Sequence, residues 1–151
     1  MNKKNLIIGL VGILCIASGY IIYQNFQETS YEKVKIQTDR DSYTPIMSST
    51  VGIGLVPIYI SERDPETVKF HWRTNYGHFV SWESQEYKVI MLGIDVINNG
   101  EKIYWSYSEM SEKKPSVHIS LTVEDAISGE PLVESTLEIE WGDKDIAKVK
   151  K

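Results

Sequence analysis

Cysteine is nearly absent: Cys15 is the only one in 151 residues. A disulfide framework is therefore excluded, and any fold must rest on its apolar core. Cys15 does not fit a lipidation signal either, because Leu14 stands where a small residue is required and the apolar run continues past it. Histidine is scarce, with His71, His78 and His118 alone, so a zinc site built on them would need carboxylates to complete it. Basic residues are in deficit. Setting aside Lys3 and Lys4 leaves 14 basic against 21 acidic residues beyond the amino terminus, a formal charge of −7. The acids are dispersed as on a solvated surface, and no nucleic-acid partner is expected.

Catalytic signatures are missing as well. No GxSxG or HExxH pattern occurs, and Gly52 and Gly54 in "GIG" are followed by no helix that could receive a phosphate. No catalytic, cofactor-binding or metal-binding residue is assigned, and no cofactor is expected. Asp39 and Asp41 in "TDRDSYTP" could supply oxygens to Ca²⁺ at one end of a sandwich. Arg40 between them favours the simpler reading of a turn-forming aspartate.

What the chain does contain is one long uncharged run. Leu6 to Tyr23 holds 18 residues without a charge, about 27 Å as a helix, close to the hydrocarbon thickness of a bilayer. Lys3 and Lys4 precede it, and the next basic residue is Lys33. This asymmetry places residues 1–5 in the cytoplasm, 6–23 in the membrane as a single-pass anchor, and the remainder outside the cell. The small residues Ala17-Ser18-Gly19 would also suit signal-peptide cleavage before Tyr20, but the run continues through Ile21 and Ile22, which favours an anchor. Residues 24–32 are polar and read as a stalk.

From residue 33 onward the period is that of strands. "SVHISLTVED" sets Val117, Ile119, Leu121 and Val123 inward against His118, Ser120 and Thr122. "LVESTLEIEW" sets Val133, Leu137, Ile139 and Trp141 against Glu134, Thr136, Glu138 and Glu140. "VKIQT" at 34–38 and "STVGIGLVPIYI" at 49–60 alternate in the same way, and "YKVIMLGIDVI" at 87–97 is joined to "EKIYWSY" at 101–107 by a hairpin turn at Asn99-Gly100. Between them, "TVKFHWRT" and "HFVSWE" read as a hairpin around Asn75-Tyr76-Gly77. That register gathers Phe70, Trp72, Val80 and Trp82 on one core face, and leaves His71 outward with Lys69 and Arg73, opposite His78. The expectation is an all-β, Greek-key β-sandwich of seven to nine strands over 33–142. The polar tail 143–151 either frays or adds a short edge strand.

The stretches "VKFHWRTNYGHFVSW", "NNGEKIYWSY" and "VHISLTVEDAISGEPLVESTLEIEW" resemble the immunoglobulin-like, PKD-like extracytoplasmic domains of Gram-positive bacteria. Such domains are carried by some proteins of the beta-lactam sensor and antirepressor metallopeptidase family. The resemblance spans about residues 33–142, with Trp72 resembling the buried tryptophan and Trp105 and Tyr107 the strand after the hairpin. It implies a fold more than a function, and the peptidase motif is absent. Two roles follow as expectations. One is a membrane-anchored binding or sensor module, without catalysis, for a protein, peptide or cell-wall ligand. The other is a structural or accessory subunit of another membrane protein, or a secreted domain if the run is cleaved.

Overall fold

The computed structural model describes residues 31–47, 49–83, 86, 88–108, 114–143 and 146–150. The anchor 6–23, Cys15 and nearly all of the stalk lie outside the described residues. No helix among the described residues is long and apolar enough to cross a membrane. Residues 31–151 form one compact unit, made of two antiparallel sheets packed as a β-sandwich.

Eleven strands are described: β1 (Lys33–Thr38), β2 (Ser42–Tyr43), β3 (Ile53–Ile60), β4 (Val68–Thr74), β5 (His78–Glu83), β6 (Lys88–Gly93), β7 (Asp95–Asn98), β8 (Ile103–Ser106), β9 (Val117–Asp125), β10 (Pro131–Trp141) and β11 (Ala147–Val149). One sheet runs β1-β3-β8-β5-β6 and the other β2-β11-β10-β9-β4-β7. The alternation in β9 is complete: Val117, Ile119, Leu121 and Val123 are all fully buried, as the period of two requires when one face meets a core. Ile53 and Leu55 supply the facing layer from β3, with Ile103 and Trp105 from β8. The tail contributes β11, which lies between β10 and β2 with Ala147 fully buried.

Two expected hairpins are not hairpins. β4 pairs with β7 and β9, while β5 pairs with β6 and β8 in the other sheet, so Asn75-Tyr76-Gly77 carries the chain across the sandwich. Trp72 stands beside Val96 and Leu121, not beside Val80. The reason is that Trp72 and Phe79 both face inward from opposite sheets and meet edge to face at 6.4 Å. A hairpin would have put both on one layer. In the same way, 87–97 is two strands. Gly93, at φ +103, precedes the step at Ile94 from β6 in one sheet to β7 in the other. Gly100 has the expected positive φ, +99, yet it too leads from one sheet to the other. These steps, with the short β2 and β11, raise the count above nine.

The crossover after β4 is fastened from both sides. Thr74 Oγ1 donates to the Tyr76 carbonyl at 2.7 Å, and the Trp105 indole N–H donates to the same carbonyl at 2.8 Å. Gly77, at φ +74, passes so close that a Cβ there would lie 2.4 Å from the Ser106 carbonyl oxygen. Any side chain at that position meets immovable backbone, in a conformation that L-residues rarely adopt. Around this point Tyr76, Trp105, Tyr107 and Trp141 cluster, with Trp141 edge to face against Tyr76 and Tyr107, the latter at 5.0 Å.

The run "HWRTNYGHFVSW" thus divides its tryptophans: Trp72 is 0% exposed and Trp82 is 39% exposed. Trp72→Ala is expected to lower the unfolding free energy by about 3–5 kcal/mol, and Trp82→Ala by ~1 kcal/mol or less. Urea denaturation of the two variants checks this. Equal losses would show that both rings are core.

Candidate functional site

Because Ile53, Leu55, Phe79, Ile103 and Trp105 point into the core, their alternates Gly54, Val80, Trp82, Lys102 and Tyr104 face the other way. The outer side of the five-stranded sheet is therefore aromatic and apolar at its centre. Val80 pairs with Tyr104 and Met91, and Trp82 pairs with Val89. Along this side runs an open groove of about 460 Å³, lined by Asp39, Arg40, Ser49, Thr50, Val51, Trp82, Lys102 and Tyr104. Thr50 Oγ1 donates to the Gly52 carbonyl at 2.8 Å, which holds the 49–52 wall in place.

Asp39 anchors one side of the groove. Its Oδ1 accepts from the Gly54 N–H at 2.9 Å and from Arg40 Nε at 3.1 Å, and its Oδ2 accepts from Lys102 Nζ at 2.8 Å. Gly54 makes this possible, since a Cβ there would lie 2.4 Å from Asp39 Oδ2 and from Lys102 Cε. The ammonium of Lys102 also lies 4.6 Å from the centroid of the Tyr104 ring, a cation–π contact. Partial burial pushes the Asp39 carboxyl up, but the hydrogen bonds from Lys102, Arg40 and Gly54 outweigh it and hold it below the usual carboxylate value. Lys102 is raised, chiefly by its hydrogen bond to Asp39. Both Asp39 oxygens are held by protein donors, two of them cationic.

A second cluster lies on the outer side of the other sheet. His71 is expected outward and solvated, and it does face outward, but only 8% of it is exposed. Its Nδ1 lies 2.6 Å from Glu124 Oε1 on β9, and its Nε2 lies 2.6 Å from Asp95 Oδ1 on β7. Arg73 Nε donates to the second Asp95 oxygen at 3.2 Å. The sequence misses this because both carboxylates reach His71 across neighbouring strands, 24 and 53 positions away. The cluster ties three strands, β4, β7 and β9, and Arg73 Nη2 also lies 3.2 Å from His71 Nδ1. The Asp95 carboxyl is held low, first by His71 and then by Arg73.

The three histidines are dispersed. His78 lies on β5 in the opposite sheet, where burial lowers its pKa, and His118 is exposed with Nε2 3.1 Å from Ser116 Oγ. No group of three or more His, Cys, Asp or Glu among the described residues is arranged to hold a metal ion. The chain carries the Ser-x-x-Lys spacing twice, Ser30 to Lys33 and Ser111 to Lys114. Both serines lie outside the described residues, and Lys33 opens β1. No protein-family model, curated protein or solved structure matches the chain.

Two outcomes follow from the charges. A lowered Asp39 adds stability that is full above the ordinary carboxylate value of ~3.9 and lost as pH falls through its folded value. A raised Lys102 adds stability that is full below the ordinary lysine value of ~10.4 and lost as pH rises through its folded value. Lys102→Met should move the Asp39 carboxyl titration upward, read by ¹³C NMR, and cost about 1 kcal/mol or less because the pair is partly solvated. An unmoved titration would separate the two residues. His71→Leu should cost ~1–3 kcal/mol and speed amide exchange in β7, whose only strand partner among the described residues is β4. Unchanged exchange at Val96 would show that the cluster does not hold the edge.

Proposed function

We propose that the chain is a membrane-anchored, extracytoplasmic binding or sensor module of immunoglobulin-like, Greek-key type, and that it acts without catalysis. The observation that carries this reading is the groove beside Trp82: a recess of ligand size lined by side chains fit to hold a molecule and lacking a nucleophile oriented by a base. Thr50 is turned to its own loop backbone, and His71 sits on the other sheet, sealed by carboxylates. The repeated steps between sheets, at 75–77, at 94 and at 99–102, support the Greek-key assignment. The uncharged run 6–23, with lysines only on its amino-terminal side, supports the anchor and its orientation. The resemblance to Gram-positive extracytoplasmic domains agrees with both.

The reading is tested by topology. With a tag after Lys151, protease added to intact cells should remove the tag and leave the amino terminus protected. A tag that survives until the cells are lysed would overturn the extracytoplasmic placement. A mature chain beginning at Tyr20 by amino-terminal sequencing would replace the anchored module with a secreted one.

A further inference from the structure

We propose that β6 pairs with β6 of a second copy of this chain, antiparallel about a two-fold axis, so that two five-stranded sheets join into one. β6 is the last strand of its sheet and its ladder runs to β5. Among the described residues, its other row of N–H and C=O groups meets no strand. Such a row is a template for a further strand.

The four edges of the sandwich are not alike. β2 is two residues long and β7 four, and Asp95 on β7 is bound to His71 and Arg73. β1 exposes Lys33 and Lys35. Short length and charged side chains are what keep an edge from pairing. β6 has neither protection: it runs for six residues, "KVIMLG", with Lys88 as its one charge and at its first position. Val89, Ile90, Met91 and Leu92 then follow without a polar residue, the composition of a strand inside a sheet and not of one at its margin. Leu92 packs against the core. Val89 and Met91 stand beside Trp82 and Val80 of β5 and are 47% and 66% exposed.

The order of these residues makes the strand complementary to itself. A joined sheet keeps the outer sides of both copies together only when opposed side chains point the same way, so in two antiparallel copies of one strand a residue stands opposite its own copy. Centred on Ile90, this register sets Ile90 against the partner's Ile90 and Val89 against the partner's Met91, apolar cross-strand pairs on both sides of the sheet. Lys88 falls opposite the partner's Leu92 and at the far end from the partner's Lys88, so like charges do not meet. The contact is isologous and uses up the open edge, which closes the assembly at a dimer. An unrelated extended peptide would satisfy the backbone row, whereas a second copy satisfies the backbone and both rows of side chains.

The test is sedimentation and disulfide cross-linking of the full-length chain in detergent micelles. The chain should sediment as a dimer. Met91→Lys puts a charge on the edge and should weaken self-association by at least about tenfold, while Ile127→Lys, at a residue 95% exposed in the β9–β10 turn, should leave the dimer intact. With Cys15→Ser as background, Val89→Cys and Met91→Cys are oxidised each alone and as an equal mixture. Opposed Cβ atoms in an antiparallel pair lie ~5 Å apart, near disulfide reach, so the mixture should cross-link at least about tenfold faster than either variant alone. A chain that sediments as a monomer overturns the proposal. So does a dimer that survives Met91→Lys with the mixture no faster than the single variants, because its contact then lies elsewhere in the chain. A monomer whose β6 amides are protected from exchange by an added apolar peptide of different sequence overturns the self-pairing and assigns the edge to another protein.

Discussion

The sandwich depends on the hydrogen bond from the Trp105 indole to the Tyr76 carbonyl. Tyr76 lies in the short bend that takes the chain from β4 to β5, and a bend between sheets leaves backbone groups with no ladder to join. Thr74 and Trp105 meet that need from inside the core, and Gly77 lets the chain turn without striking the Ser106 carbonyl. With the bend fixed, β4 belongs to one sheet and β5 to the other. Each then exposes its alternate residues on opposite sides of the molecule. Trp82 reaches the groove and His71 reaches the carboxylates because of that one step.

Sequence alternation revealed the faces of β4 and β9 but inverted that of β5, where Phe79 meets the core in place of Val80 and Trp82, and it named partners poorly. β9 and β10 were legible because their inward residues recur at every second position and their turn, "ISGEP", is short; they do pair, with Leu121 beside Ser135 and Ile119 beside Leu137. The same alternation in β4 and β5 says that Trp72 and Phe79 are apolar, but not that they face each other across a sandwich. A tight bend with a positive-φ glycine reads as a hairpin whether the strands pair or part. Distinguishing the two needs the crossover's own partners, and Trp105 is 29 residues from Tyr76.

The groove shows the same limit in another form. Asp39 stood out as a loop acid, and Arg40 beside it already argued for an internal role. Lys102, which completes the arrangement, is 63 positions away, and nothing local to either residue indicates the other. Gly54 stood out only as half of a glycine pair with no helix behind it. Its role is to make room for a carboxylate and a lysine stem on the outer side of the sheet, a demand set by tertiary contacts alone.

The two outer sides of the sandwich differ in how their charges are spent, and that difference separates scaffold from site. On the side of β4, His71 and Arg73 answer Asp95 and Glu124 within a few ångströms, so the charges there are consumed in joining strands. On the side of β8, two cations answer one carboxylate. A closed cluster resists change at its centre, because His71 and Glu124 are largely buried and losing either strands the other. An arrangement with one charge in excess costs little at a solvated surface, and it gains when an anion arrives. The six-stranded sheet therefore closes its charge balance in holding strands together, while the five-stranded sheet leaves its balance open.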